Sequence, residues 1–283
     1  MVFGKGRDVR PRPEIALELR ALEEWEQVMT DNPHFRDPDY IRSIATAVAQ
    51  DGAIEPLTGT KIPAGALQLT DNLREGLEYG QINSRTRAVL LSLQWALAEK
   101  NWPDAKIYAA EAVTPFALRL RGIFAKFIGS EYSATEEQRQ DLYPIQFEDL
   151  QKLSFPNDVF DLVTTNDVLE HVPSIDEALR EICRVLKPGA WHVGTAPFAV
   201  GQYDSIRKAE LIDGQVNFLT EPEYHGNPVD EKGSLVFEVP GWDILERARK
   251  AGFRDAFVRF LMSAKHACFS SDAGGIFVFC FQK

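Results

Sequence analysis

LSFPNDVFDLVTTNDVLEHVPSIDEALREICRVLKPGAWHVGTAPF, residues Leu153 to Phe198, is the stretch whose reading decides the fold. Phe160 to Thr165 is a short apolar, β-branched run between Asn157-Asp158 and Asn166-Asp167, which predicts a strand. Ser174 followed three residues later by Glu177 predicts a capped helix start. Ile175, Ala178, Leu179, Ile182, Val185 and Leu186 then recur at helical spacing, and Lys187-Pro188-Gly189 ends the run. Trp191 to Ala196 reads as a second strand. Two strands joined by a helix over so short a span make a βαβ unit, parallel and right-handed.

In open α/β sheets, ligands sit beyond the carboxyl ends of the strands. That position carries Asn166, Asp167, Glu170 and His171. Turn formation by Asn166 and Asp167 and packing of His171 is the plain alternative. The stretch resembles the class I S-adenosylmethionine-dependent methyltransferases, in particular the type-11-like group. The resemblance rests on Leu153-Ser154-Phe155-Pro156, Phe160-Asp161-Leu162-Val163, Val168-Leu169-Glu170-His171-Val172 and Arg184-Val185-Leu186-Lys187-Pro188-Gly189 taken together. It implies an α/β fold: a Rossmann-like, seven-stranded, mostly parallel sheet with helices on both faces. It also implies S-adenosylmethionine as cofactor and no metal.

The rest of the chain is read outward from there. Its 283 residues allow one large domain with an added segment. A formal net charge of −11 argues against a nucleic-acid backbone as partner. No apolar run reaches the ~20 residues that a membrane span needs, and no export signal is read, so a cytoplasmic protein is expected. Cys183, Cys268 and Cys280 show no metal spacing and are expected to be reduced thiols.

Residues 1–13 read as a loose basic arm, Glu14 to Met29 as an amphipathic helix, and Asp39 as the cap of a second helix. Residues 1–100 thus form an arm and N-terminal helical extension, and 101–283 the methyltransferase domain. Ile82-Asn83-Ser84-Arg85-Thr86-Arg87-Ala88 opens an apolar helix. Some proteins of the resembling group carry a zinc-ribbon-like element before a similar Asn-Ser-Arg-x-Arg. With no cysteine between residues 50 and 90, a thiolate zinc site is excluded here. Arg85 and Arg87 are candidates for an acidic group of the cofactor or substrate, with a solvated helix start as the alternative.

Lys106 to Ala110 reads as the first core strand, ending at Glu111. The family usually places a Gly-x-Gly loop next, where this chain has Glu111-Ala112-Val113-Thr114-Pro115-Phe116. The resemblance makes Glu131, with its neighbour Tyr132, the ribose-binding position at the end of the second strand. Glu131 lies 131 − 111 = 20 residues after Glu111, the offset between loop and ribose acid in dinucleotide folds. It likewise makes Asp149 and Leu150 the adenine-reading pair. Glu111, Asn166, Asp167 and Arg85 complete the expected cofactor set.

Residues 199–239 form an insertion on the acceptor side, dense around Glu223-Tyr224-His225-Gly226-Asn227-Pro228. Long loops in such positions commonly carry function. His225 and His171 are the candidate bases, because histidine titrates near neutral pH. A structural hydrogen-bonding role stays open for both. The expected function is methyl transfer from S-adenosylmethionine to an oxygen or nitrogen of a small molecule or glycan. No nucleic-acid, membrane or metal partner is expected, and a homodimer stays open. The alternatives are a binding or regulatory subunit that has lost catalysis and a nicotinamide oxidoreductase. The absence of Gly-x-Gly-x-x-Gly disfavours the last.

Overall fold

The computed structural model describes residues 12–98, 102–133 and 135–283, so all but the last two residues of the basic arm lie outside it. Eight strands form one sheet: β1 (Glu14–Leu19), β2 (Lys106–Ala109), β3 (Lys126–Glu131), β4 (Gln146–Phe147), β5 (Phe160–Asn166), β6 (Leu186–Thr195), β7 (Asp255–Ser263) and β8 (Ile276–Gln282). Their order across the sheet is β1-β7-β8-β6-β5-β2-β3-β4. The pairs β5–β6, β5–β2, β2–β3 and β3–β4 are parallel, and β8 runs antiparallel to β6. From β2 the chain first builds outward through β3 and β4, then returns to add β5 and β6 on the other side. The strand order therefore reverses between β2 and β5, where ligands of doubly wound sheets bind.

The helices are α1 (Leu22–Asp31), α2 (Pro38–Asp51), α3 (Ser84–Ala96), α4 (Pro115–Ile123), α5 (Glu136–Asp141), α6 (Ile175–Val185) and α7 (Ile244–Lys250). In α6, Ser174 caps as expected, its hydroxyl accepting from the Glu177 N–H at 3.3 Å. The Glu177 carboxylate pairs with Arg180. Ile175, Leu179, Ile182 and Val185 are fully buried. At about 1.5–3 kcal/mol for each such side chain, this stripe is the main reason the helix stays on the sheet. The βαβ unit predicted from 153–198 is present, with β6 starting earlier than Trp191. Lys187-Pro188-Gly189 lies inside β6, and Gly189 adopts φ +76°, which a residue with a side chain resists.

Three expectations are corrected. The sheet has eight strands rather than seven, because Glu14–Leu19 is an edge strand and not the start of a helix. Ile15, Leu17 and Leu19 turn to the protected side while Glu14, Ala16 and Glu18 are exposed. Period-two burial at a sheet edge overrides the helix preference of Glu, Ala and Leu. Second, Asp37 rather than Asp39 caps α2, its carboxylate accepting from the N–H groups of Asp39 and Tyr40 at 3.0 and 3.3 Å. Third, residues 199–239 are a set of short antiparallel pairs: Ala209–Ile212 with Gln215–Phe218, Tyr224–Asn227 with Asp230–Leu235, and Ile206–Arg207 with Glu238–Val239.

The chain divides into two compact units. One holds the described part of Met1–Leu17 with Met29–Ala88 and Phe260–Ile276. Within it Arg87 is fully buried and donates to the carbonyls of Leu77, Ile82, His266 and Ala267 at 2.7–2.8 Å. Burial pushes its pKa down to about 10. Arg85 pairs bidentately with Glu75, at 2.8 and 3.2 Å. The other unit holds Glu18–Val28, Val89–Arg259 and Phe277–Lys283, and with them β2 to β6 and the insertion. Among the described residues no helix is long and apolar enough to cross a membrane.

Candidate functional site

At the switch point the ends of β2, β3 and β5 are tied together by carboxylates. Asn166, the last residue of β5, donates through Nδ2 to Glu111 Oε1 at 2.6 Å. The hydroxyl of Thr114 donates to the other oxygen of Glu111 and accepts from the Ala117 N–H, which caps α4. Glu131, the last residue of β3, reaches the same loop. Its Oε1 accepts from the N–H groups of Ala112 at 2.7 Å and Val113 at 3.1 Å. Burial raises the Glu131 pKa, and the two backbone donors oppose that rise.

These bonds explain how a loop without Gly-x-Gly can be held. The glycine stands on the facing strand instead. A Cβ on Gly129 would lie 2.6 Å from the carbonyl oxygen of Glu111 and 3.1 Å from Cα of Ala112. Close approach of loop to strand is thus achieved from β3 rather than from the loop itself.

Arg85, the candidate from the other unit, is engaged by Glu75. The remaining cofactor candidates lie beyond the strand ends of the sheet. Asp149, just beyond β4, accepts from the Gln151 N–H at 2.9 Å in a local turn, and Leu150 is buried. Tyr132 is exposed. Asp167 takes φ +51°; its N–H donates to the Thr195 carbonyl at 2.8 Å, and Thr195 Oγ1 donates to its carboxylate at 3.0 Å. Asn166 Oδ1 is buried with no hydrogen-bond partner. Buried acceptors without a partner are uncommon.

The second cluster begins four residues beyond Asn166. A short 3-10 turn, Leu169–His171, brings Glu170 fully inside. Neither of its carboxyl oxygens makes a hydrogen bond. Its Oε1 lies 3.5 Å from His171 Nε2 and 3.6 Å from His225 Nδ1. The two imidazoles meet edge to face at 5.2 Å. Both rings are steered from behind. His171 Nδ1 bonds the Leu235 carbonyl at 2.9 Å, and His225 Nε2 bonds Glu223 Oε1 at 3.1 Å. Glu223 is in turn paired with Lys208, which together with His225 holds its pKa below the usual carboxylate range.

His225 is held above its ordinary pKa by the nearby Glu170 carboxyl, with Glu223 adding to the rise and burial opposing it. The insertion is stitched onto this turn by backbone. The Phe237 N–H donates to the Glu170 carbonyl at 2.7 Å, and within the insertion the Val236 N–H donates to the Glu223 carbonyl at 2.8 Å.

The two candidate bases therefore come together, although they lie far apart in the chain. His225 sits in a strand of a hairpin, with Gly226 beside it, and its aim is set by Glu223 rather than by the turn at Pro228. The sequence places Glu170 at the ligand position beyond the strand but assigns it no binding or catalytic role. The signal that could have found it is its adjacency to His171 at a strand-to-helix connection.

Residues 115–194 match the family model described as "Methyltransferase domain". The match covers 80 of the 283 residues, from α4 into β6, and makes that segment similar to a methyltransferase family. S-adenosylmethionine is the cofactor of this family. A curated relative, the ubiquinone/menaquinone biosynthesis C-methyltransferase of Laribacter hongkongensis, is 46% identical over 48 residues, 17% of this chain. The match spans about a fifth of that relative's length (20%). Among solved structures, the methyltransferase domain is similar to an S-adenosylmethionine-dependent methyltransferase from Mesorhizobium loti, with TM-score 0.43 and 17% identity over 67% of this chain and 97% of that one. It is also similar to CalS10, an amino pentose methyltransferase from Micromonospora echinaspora, with TM-score 0.44 and 15% identity over 72% and 93%.

Proposed function

We propose that this protein transfers a methyl group from S-adenosylmethionine to an oxygen or nitrogen of a small molecule or sugar. The observation that carries the reading is the pairing of two clusters at one end of the sheet. Glu111, Glu131 and Asn166 close the switch point, and Glu170, His171 and His225 stand just beyond it under the insertion.

The residues present suit the cofactor. Glu131 offers a carboxylate that would accept from ribose hydroxyls, Asp149 and Leu150 are the pair the resemblance assigns to the adenine edge, and Asn166 Oδ1 is a buried acceptor without a partner. When bound, the cofactor supplies an electrophilic methyl carbon on a sulfonium. With that carbon supplied, the chain's own task would be to hold the acceptor in line and to take the proton that a hydroxyl or protonated amine acceptor must lose. The insertion excludes water and sets the acceptor in line. His225, aimed by Glu223, stands with His171 and Glu170 where that proton is handled.

S-adenosylhomocysteine binding tests the reading. It is expected to raise the melting temperature by mass action and to give a measurable heat by calorimetry. No shift and no heat at millimolar ligand would reject it.

A further inference from the structure

The Glu170 cluster is arranged for more than a proton. In a neutral imidazole only one nitrogen carries hydrogen. His171 uses its Nδ1 on the Leu235 carbonyl, so its Nε2 is bare. His225 uses its Nε2 on Glu223, so its Nδ1 is bare. Both bare nitrogens face Glu170 Oε1, at 3.5 and 3.6 Å. With both rings neutral, three acceptors converge here, and neither carboxyl oxygen of the buried glutamate makes a hydrogen bond; a proton on His225 or a metal ion among the three balances them. Electron pairs that converge in this way repel unless a cation lies between them.

The spacing suits a metal ion. Ligand atoms about 2.0–2.1 Å from a tetrahedral ion lie about 3.3–3.4 Å from one another. The three ligand atoms here all fall within 4.8 Å of one another, and both oxygen–nitrogen distances are close to that spacing. The outer contacts also fit. Metal-binding histidines hand their remote N–H to a carbonyl or carboxylate, which fixes the tautomer, and Leu235 and Glu223 do this here. His225 keeps 31% of its side-chain surface exposed, so the cluster is closed behind and open in front. Three protein ligands with an open face is the pattern of catalytic rather than structural sites.

We propose that Glu170, His171 and His225 bind a divalent transition-metal ion whose open coordination positions take an oxygen of the methyl acceptor. Two imidazoles and one carboxylate favour Zn²⁺, Mn²⁺, Co²⁺ or Fe²⁺ over the all-oxygen preference of Mg²⁺ and Ca²⁺. Such an ion orients the acceptor and makes a hydroxyl on it more acidic, which relieves the histidines of acting as the base. The acceptor role rests on the methyl-transfer reading; metal binding itself does not.

The test is a titration of chelator-treated protein with Co²⁺, read by its visible absorption bands, and with Mn²⁺ and Zn²⁺ by calorimetry. One ion per chain is expected. His225→Ala and the isosteric Glu170→Gln are expected to abolish the bands, and Glu223→Gln to weaken binding about 10–100-fold. Unchanged S-adenosylhomocysteine affinity and melting behaviour in these variants shows that the fold is kept. No binding to the wild-type chain, or binding that survives both Glu170→Gln and His225→Ala, overturns the site. Metal binding without S-adenosylhomocysteine binding would leave the metal site standing and reject the methyl-transfer reading; the converse would do the reverse.

Discussion

Arg87 and Glu170 are both ionisable side chains with no exposed surface, and their surroundings differ in kind. Arg87 has four backbone carbonyls arranged around its guanidinium. Glu170 has two imidazole nitrogens at 3.5 and 3.6 Å and no hydrogen bond on either oxygen. A buried polar group that the protein satisfies by itself is part of the architecture. One left unsatisfied raises the energy of the folded state unless something else completes it. The same contrast separates the Glu131 clamp, whose donors are the loop it holds, from the cluster four residues past β5.

His225→Ala probes the open cluster directly. It is expected to lower turnover by ~10²–10⁴-fold while S-adenosylhomocysteine affinity stays as it was, measured by single-turnover kinetics and calorimetry. Full activity on the true acceptor would place proton removal elsewhere.

Arg87→Met probes the closed case. It removes the donor from three buried carbonyls and one part-buried one. At about 1–3 kcal/mol for each buried group left without a partner, a loss of at least about 3 kcal/mol in urea unfolding is expected. A stability within 1 kcal/mol of wild type, taking 1 kcal/mol as about the error of such a comparison, would erase the distinction drawn between the two residues.

Glu131→Ala lies between them. It releases the Ala112 and Val113 N–H groups and is expected to destabilise by about 1–3 kcal/mol, with weaker cofactor-product binding on top. Loss of binding without loss of stability would show that the clamp on the loop is weak.

The smallest effect on stability is expected for Glu170→Gln. Since the glutamate makes no hydrogen bond, its loss should leave the unfolding midpoint unchanged or raise stability by up to about 2 kcal/mol, the usual direction at a functional site. A strong destabilisation would mean that Glu170 is architecture after all, like Arg87.

Much of the fold was legible because local signals agreed. Around 153–198 the β-branched run, the Ser174 cap and the helical stripe all point to one βαβ unit, and β5, α6 and β6 follow. Glu14–Leu19 shows the opposite. Ile15 and Leu19, with Leu22, fit an apolar helix face, while Ile15, Leu17 and Leu19 fit an alternating strand, and the neighbouring strand β7 settles the matter. Asp37 directly precedes Pro38, and proline favours the first helical position, so a signal for Asp37 over Asp39 was present in the sequence.

The sequence by itself determined the elements of the methyltransferase domain and the carboxylates along its carboxyl edge, because capping, periodicity and strand-end position act over a few residues. Only the tertiary structure decided that Gly129 makes room for a loop without glycine, that Arg87 is a buried tie, and that His225 meets His171 over Glu170. Each of these depends on contacts between segments distant in the chain. A side chain's partners across such a distance are set by strand order and hairpin register, which no short stretch of sequence encodes.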